Sequence, residues 1–447
     1  MSRDAYANGR FPQAQQIALA PRGADPNLIV LRTTFGIVVS HDAGKTWSWI
    51  CEAALGFTGE WDPPVAITKD GKIWVGLPDG LRSTRDGCSS DDISAFHGER
   101  VTDLAVDGSG ENLIVLTSPL ERPAHVSIVH AKGNVERIGG EFSGFQLTTV
   151  ESAPSSEKLY VSGAPFGKGP RPHLFVGAKG KPLVEAALDL PEKANVFVSA
   201  VDPKNDARLV IRTLAPEGSD IYISNDGGKT FVSTLHVPTL LYGFAKSEDG
   251  KTLFTGSGDP NDGIFRSEDR GQTWKPISKT PVRCLALAGP NLYACSTPYL
   301  PSGFAIAMST DGASTFATLN AFTDIGGPIA CDGGAGAVCG AAWPAQKALL
   351  NPKPRDAGAA IDGSANDVDG SVMAPTERPS RGCGCVAAGE ENSGLSPLLL
   401  SVLMAGLLIA RMDHRKPSLS RSRSMSAAAC TGLARGRAEE ASNQPVL

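Results

Sequence analysis

The sequence lacks the signatures of the common catalytic and metal sites. It has no Gly-x-Ser-x-Gly elbow, no His-Glu-x-x-His motif, no phosphate-binding loop, and no Cys-x-x-Cys pair or histidine cluster with zinc spacing. The net charge is −5, and no basic face with interleaved aromatic residues is visible, which argues against nucleic acid as a partner. No cofactor or metal is predicted.

An eight-residue pattern, Ser-x-Asp-x-Gly-x-Thr followed by an aromatic residue, recurs along the chain. It is intact at 40–47, 224–231 and 267–274, has alanine in place of the glycine at 309–316, and is reduced to a fragment at 84–88. Short apolar runs flank each intact copy, which predicts the turn of a β-hairpin. The aspartate can accept hydrogen bonds from the following backbone N–H groups, and the glycine supplies a positive φ. The residues that define these turns are Ser40, Asp42, Gly44, Trp47, Asp86, Ser224, Asp226, Gly228, Phe231, Ser267, Asp269, Gly271, Trp274, Ser309, Asp311 and Phe316.

These roles are structural, because an aspartate that caps a turn is not free to transfer protons. The motif resembles the Asp-box (BNR) repeat family over roughly the first 320 residues. In that family the box joins the last two strands of a β-propeller blade, away from the active face. Such boxes occur in sialidases, sortilin-type receptors and non-enzymatic surface proteins, so the resemblance implies a fold and not an activity.

The spacing of the turns predicts an all-β fold, a seven-bladed propeller of four-stranded blades. Neighbouring box aspartates lie 42–44 residues apart, which is the length of one blade. The gap from Asp86 to Asp226 is 140 residues, so two blades without boxes must lie inside it, and a six-bladed alternative would need an implausibly long loop. The strands of these two blades are predicted at 101–106, 112–116 and 126–129, and at 145–150, 159–161 and 174–176.

Six of the nine cysteines fall into three local groups. Such grouping predicts disulfides formed in an oxidising compartment, with reduced and buried thiols as the alternative. The disulfide interpretation places the protein outside the cytoplasm. The groups are Cys51 with Cys88, Cys284 with Cys295, and Cys331 with Cys339.

Composition divides the chain into four parts. Residues 1–350 hold the propeller and a short closing segment, with one short helix predicted at 343–350. Residues 351–382 have few large apolar side chains and many Pro, Gly, Asp and Ala residues, which predicts a disordered linker. Residues 383–416 contain a cysteine motif, a hydrophobic segment and a basic stop. Residues 417–447 form a Ser/Arg-rich tail that is predicted to be disordered.

The 383–416 segment has the parts of a sorting or anchor signal. Cys383 and Cys385 precede an apolar run from Leu395 to Ala410, which is shorter than the ~20 residues that span a bilayer but sufficient for retention in a membrane. The order of parts resembles the MYXO-CTERM sorting signal of myxobacterial surface proteins. That resemblance implies a sorting protease as partner, processing or lipid anchoring at the cysteines, and display on the cell surface. An ordinary C-terminal transmembrane helix is the alternative.

The two ends of the chain depart from this pattern. Residues 1–12 contain no apolar run of the kind found in a secretory signal peptide. Because a sorting signal is useless without export, we hypothesise that the true start lies upstream. Residues 418–447 extend past the point where such signals stop, which fits an over-extended reading frame or a cytoplasmic tail.

A sialidase-like glycoside hydrolase is the enzymatic hypothesis. Sialidases of the resembling family carry an Arg-x-Pro element, and Arg10-Phe11-Pro12 has that form. Their chemistry needs three arginines, a tyrosine nucleophile with a glutamate, and an acid/base aspartate. Tyr242 and Arg283 lie on predicted first strands, but two further arginines and the paired glutamate cannot be placed in family order. Those enzymes also have six blades, so no catalytic residue is predicted.

The favoured hypothesis is a non-catalytic binding or structural module at the cell surface. Propeller loops converge at one mouth, where side chains on the longer loops determine the ligand, a glycan or a protein. A third hypothesis is an assembly factor for a membrane complex. The candidate ligand contacts on these loops are Arg171, Asp259, Asn261, Asp262 and Tyr299.

Overall fold

The computed structural model describes residues 10–167 and 171–351. Within them, seven sheets of four consecutive antiparallel strands form the seven predicted blades, and a two-residue strand from the C-terminal segment extends the first sheet. The first four blades are β1 Ala14–Leu19, β2 Ile29–Thr33, β3 Gly36–Ser40 and β4 Ser48–Ile50; β5 Val65–Ile67, β6 Ile73–Leu77, β7 Gly80–Thr84 and β8 Asp91–Asp92; β9 Val101–Val106, β10 Leu113–Thr117, β11 Ala124–Val129 and β12 Val135–Phe142; and β13 Phe145–Ser152, β14 Lys158–Pro165, β15 His173–Ala178 and β16 Val184–Ala186.

The last three blades have the same up-and-down order. A four-residue helix, α1 Glu52–Leu55, follows blade one, and a 3-10 turn at Ser94–Phe96 follows blade two. The strands are β17 Asn195–Asp202, β18 Asn205–Ala215, β19 Gly218–Ser224 and β20 Val232–Val237; β21 Leu241–Lys246, β22 Leu253–Ser257, β23 Ile264–Ser267 and β24 Lys275–Ser278; and β25 Cys284–Ala288, β26 Asn291–Cys295, β27 Ile306–Ser309 and β28 Ala317–Asn320.

The two blades without boxes confirm the count of seven. Residues 101–142 and 145–186 each form one complete four-stranded sheet. Successive side chains along a strand point to opposite faces of the sheet. Both faces carry apolar side chains here, because each sheet packs between two neighbouring sheets. One core cluster joins Val126 of blade three to Leu159 and Phe175 of blade four. The hydrophobic core therefore lies between the blades.

The first strands of the blades surround one axis. β1 contacts β5 and β25, and β13 contacts β9 and β17. The ring closes where the Ala14 amide donates to the Ser296 carbonyl at 3.0 Å, between blades one and seven. The Trp47 indole N–H adds a bond to the Leu319 carbonyl of blade seven at 3.2 Å.

A C-terminal clasp, residues 327–350, packs on blade one. Its first part, β29 Gly327–Pro328, pairs in parallel with β4, and its second part is helix α2 Gly334–Leu350. The helix begins nine residues before the predicted Trp343, because the glycine- and alanine-rich stretch after Gly333 is helical as well. Trp343 packs on Trp49 with ring centroids 5.5 Å apart, so the helix is held against the outer strand of blade one.

Three disulfides use the six predicted cysteines, but two of the predicted groupings are wrong. Cys284 pairs locally with Cys295 across β25 and β26. Cys51 pairs with Cys339 and Cys88 pairs with Cys331, at sequence separations of 288 and 243 residues. The physical reason is the clasp, which brings the end of the propeller back to blades one and two. Three disulfides favour an exported protein.

The predicted linker from 352 onward, the sorting signal with Cys383 and Cys385, and the 417–447 tail lie outside the described residues. Among residues 10–167 and 171–351, no helix is long and apolar enough to cross a membrane.

Candidate functional site

The box turns share one hydrogen-bond pattern. In the first box, Ser40 Oγ donates to Asp42 Oδ1 at 2.8 Å and accepts from the Gly44 amide at 2.8 Å. Asp42 also accepts from the Thr46 amide at 2.8 Å and from the Thr46 hydroxyl at 2.7 Å. The bond from Thr46 is the main reason that the pKa of Asp42 falls to about 2. This carboxylate is committed to the turn and is a poor proton carrier at neutral pH.

The two altered copies keep this pattern in full or in part. Asp311 accepts from the Thr315 amide and hydroxyl, and Ala313 takes the glycine position with φ +79°. In the broken box, Asp86 Oδ1 accepts from the amides of Cys88 and Ser89. The aspartate of this turn thus still accepts backbone bonds although the glycine, the threonine and the aromatic residue of the pattern are absent.

The propeller has two unlike faces. The box face carries the box turns and the turns between the first and second strands of each blade. The distal face carries the loops between the second and third strands and the connections between blades, because the strands alternate in direction. All five predicted ligand contacts lie on distal-face loops: Arg171 in blade four, Asp259, Asn261 and Asp262 in blade six, and Tyr299 in blade seven.

Several of the predicted contacts have internal partners. Asp259 Oδ1 accepts from the Asn261 amide at 2.8 Å, and Asp262 accepts from the Thr239 hydroxyl. The Tyr299 hydroxyl donates to the Leu350 carbonyl at 2.7 Å, so this tyrosine secures the end of α2. Arg171 is exposed. The structure brings the three blade-six residues together on one loop, and Arg171 and Tyr299 lie on the loops of other blades.

The axial channel contains charged side chains. Asp103 of blade three interacts electrostatically with Arg32 of blade one, and Glu151 of blade four with Lys246 of blade six. Each pair skips an intervening blade, which indicates that the side chains extend toward the axis. The pKa of Asp103 is raised to about 7, chiefly by burial and also by the neighbouring Glu151, against the lowering effects of the Val150 amide and Arg32. Burial likewise raises the pKa of Glu151.

The raised pKa of Asp103 predicts a pH-dependent stability. The folded state holds the proton more tightly than the unfolded chain, so this contribution is complete below about pH 4 and is lost as pH rises through about 7. Asp103→Asn keeps an oxygen acceptor for the Val150 amide. We expect it to be more stable than the wild type at pH 8, by up to about 4 kcal/mol, and equal to it at pH 4. Urea unfolding at both pH values measures this, with exposed Asp79→Asn as control. A stability of Asp103→Asn below that of the wild type at pH 8 would contradict it.

The three residues of the enzymatic hypothesis lie at the distal end. Arg10 pairs with Asp62 at 2.8 Å and donates to the carbonyls of Thr34 and Trp61. The Arg283 guanidinium carbon lies 4.8 Å from the centroid of the Tyr242 ring. Sequence reasoning missed Arg212, whose Nη1 donates to the Tyr242 carbonyl at 2.5 Å.

Two signals could have found the missed residues. Arg212 directly follows the apolar run Leu209-Val210-Ile211 inside β18, and Asp103 lies inside the strand Val101–Val106. A charge inside a strand of a buried sheet is costly unless it has a partner or a use.

The comparisons agree with this architecture. The family model of the BNR-Asp box repeat matches residues 264–277, which include the third intact box. No curated protein matches the chain. The chain is a seven-bladed β-propeller that carries BNR-Asp box repeats.

Solved structures share the fold at low identity. A puromycin-hydrolyzing peptidase of Mycobacterium tuberculosis is 12% identical, with a TM-score of 0.51, over 73% of this chain and 56% of its own. A GH74 enzyme of Niastella koreensis is 12% identical, with a TM-score of 0.40, over 71% and 66%. YCF48 from Cyanidioschyzon merolae is 12% identical, with a TM-score of 0.43, over 64% and 92%. The chain thus spans less than two thirds of both enzymes, and at this identity the likeness extends to the fold alone.

Proposed function

We propose that this chain is a non-catalytic β-propeller, displayed outside the cytoplasm, that binds a glycan or protein ligand on its distal face. One observation carries the proposal: five of the exposed large apolar side chains of the described residues lie on that face, each on a different loop or connection. Exposed apolar side chains that gather on one face of a protein often mark a binding site. They are Phe11, Leu120, Phe166, Leu240 and Leu300.

The chemistry of the opposite face supports this orientation. The box aspartates are occupied by their own turns, so the box face offers few free acceptors. Loops set the specificity of a scaffold, and the distal face is where the longer loops converge. The proposal includes the cell envelope as location, on the basis of the disulfides and the resemblance of the 383–416 segment to a sorting signal.

A sialidase-like glycoside hydrolase is the second candidate. It is favoured by the contact of two arginines, Arg212 and Arg283, with Tyr242. Against it, no described carboxylate hydrogen-bonds the Tyr242 hydroxyl, and the ring has seven blades. The assembly-factor hypothesis has no observation of its own and stays a prediction.

The test is binding of the labelled full-length chain to a glycan array and to cells that produce the protein. We expect binding that Leu120→Glu/Leu300→Glu reduces at least tenfold, because charged side chains on a contact surface are costly to desolvate. Val184→Glu/Val232→Glu is the matched control, since these side chains are also exposed but lie on the outer strands of blades four and five.

A fluorogenic sialoside is added in parallel. Release of the fluorophore by the wild type would contradict a non-catalytic role. Equal binding by both double variants and the wild type would mean that the ligand does not use the distal face.

A further inference from the structure

Two arginine side chains at the distal end of the channel have no acidic partner. We infer that Arg212, Tyr242 and Arg283 bind a carboxylate presented by a segment of a partner protein. The inference rests on the proposed function, because it assigns a ligand class to the distal face.

Arg212 is held in place by its surroundings. Its Nη1 donates to the Tyr242 carbonyl, and its guanidinium carbon lies 5.4 Å from the centroid of the Phe197 ring. Its Nε is buried and has no hydrogen-bond partner. Burial lowers the pKa of Arg212 to about 10, so the side chain remains charged at neutral pH. The guanidinium is therefore a fixed, partly buried cation.

Arg283 approaches the same tyrosine from the next blade. Its guanidinium stacks on the Tyr242 ring, and its Nε is also buried without a partner. Gly258 leaves room at this place, since a Cβ there would stand 3.5 Å from Tyr242 Cε2 and 3.8 Å from Arg283 Nε. The Tyr242 hydroxyl makes no hydrogen bond to the described residues. Three groups that can donate hydrogen bonds thus lie close together.

Arg212 and Arg283 lack the counter-charge that several other arginines of the described chain have. Arg82, Arg122, Arg266 and Arg270 each form an ion pair with a carboxylate. Neither Arg212 nor Arg283 has a described carboxylate oxygen within 4.0 Å. A partly buried cation without a counter-ion is unfavourable, and an anionic ligand would remove that cost.

The donors indicate the chemical class of the ligand. The planar guanidinium fork matches the two oxygens of a carboxylate, and the stacking on aromatic rings fixes its orientation. Leu240, two residues before Tyr242, is 37% exposed and offers an apolar contact beside the two charges. Arginine and tyrosine next to exposed apolar surface are the residues that dominate protein interfaces. A protein segment that carries a carboxylate and an apolar side chain fits this combination.

The probe is a short labelled peptide of alternating Glu and Leu residues, with a Gln and Leu peptide of the same length as comparison. Fluorescence anisotropy with the full-length chain measures both. We expect the Glu peptide to bind at least tenfold more tightly, and Arg283→Gln to remove this difference. Arg22→Gln is the control, because Arg22 is 86% exposed on the box face and pairs only with exposed Glu248. Arg212→Gln should act as Arg283→Gln does, provided that circular dichroism shows a folded chain.

Equal binding of the two peptides to the wild type would overturn the inference, and so would an Arg283→Gln variant that binds like the wild type. Polygalacturonate is the second probe. If polygalacturonate binds in a way that depends on Arg283 and the Glu peptide does not bind, the assignment to a protein partner is overturned. If neither probe binds while Leu120→Glu/Leu300→Glu still abolishes binding to cells or glycans, the inference fails and the proposed function stands.

Discussion

Replacement of Cys51 and Cys339 by alanine is expected to lower the free energy of unfolding by on the order of 5 kcal/mol. The Cys88–Cys331 bond remains in this variant, so the ring that opens runs from 51 to 88 and from 331 to 339, 37 and 8 positions, or 45 together. For a ring of this size the loop-entropy argument gives about 4 kcal/mol. The folded state also loses the bond from the Cys51 amide to the Cys339 sulfur at 3.0 Å. Urea unfolding monitored by tryptophan fluorescence measures the change.

The matched control is the Cys284→Ala/Cys295→Ala variant. This disulfide spans only 11 residues and joins two strands that are already paired. The loop-entropy argument gives about 3 kcal/mol for so short a loop. An equal loss in the two variants would show that the size of the opened ring does not set the contribution of these bonds, and it would contradict the role given to the clasp.

The clasp matters because the blades share no strand. In the described residues the four main strands of each blade are consecutive, so neither end of the chain supplies one of those four strands to a blade formed by the other end. Closure between blades seven and one therefore depends on lateral contacts such as that between Ala14 and Ser296. The clasp adds β29 to blade one and two disulfides, which join the last part of the propeller covalently to its first two blades.

Local sequence determined the features that could be predicted. A box turn is formed by residues within eight positions of one another, so its pattern is visible in the chain and its spacing reveals the blades. The two unboxed blades were predicted because strand and turn lengths left room for nothing else between Asp86 and Asp226. These predictions needed no knowledge of which blades meet.

Long-range packing determined the features that could not be predicted. Cys51 has no sequence signal that selects Cys339 over Cys88, because the choice depends on the path of α2 along blade one. Arg212 resembles any strand residue until Tyr242 of the next blade is placed beside it. The site is formed at the ends of strands from three blades, so a sequence pattern within one blade cannot predict it.

A second large effect is expected at a glycine at or directly before the start of the third strand of a blade. Gly36 and Gly218 begin β3 and β19, Gly263 directly precedes β23, and all three have positive φ. In each, an added Cβ would overlap the backbone carbonyl of the fourth strand, that of Ile50, Val237 or Ser278. Glycine here allows the outer strand to pair closely with the third.

We expect Gly263→Ala to lower the free energy of unfolding by about 3–5 kcal/mol. Its φ of +61° costs an L-residue about 1–2 kcal/mol, and the added methyl would also stand 2.7 Å from Lys279 Cα, where only backbone movement gives relief. Gly289→Ala is the matched control, because its φ is +55° and no atom lies within 4 Å of the new Cβ. That variant should lose only about 1 kcal/mol in the same urea titration. If the two variants were equally destabilised, conformation alone would account for the effect, and the close approach of the fourth strand would not be the reason for glycine at this position.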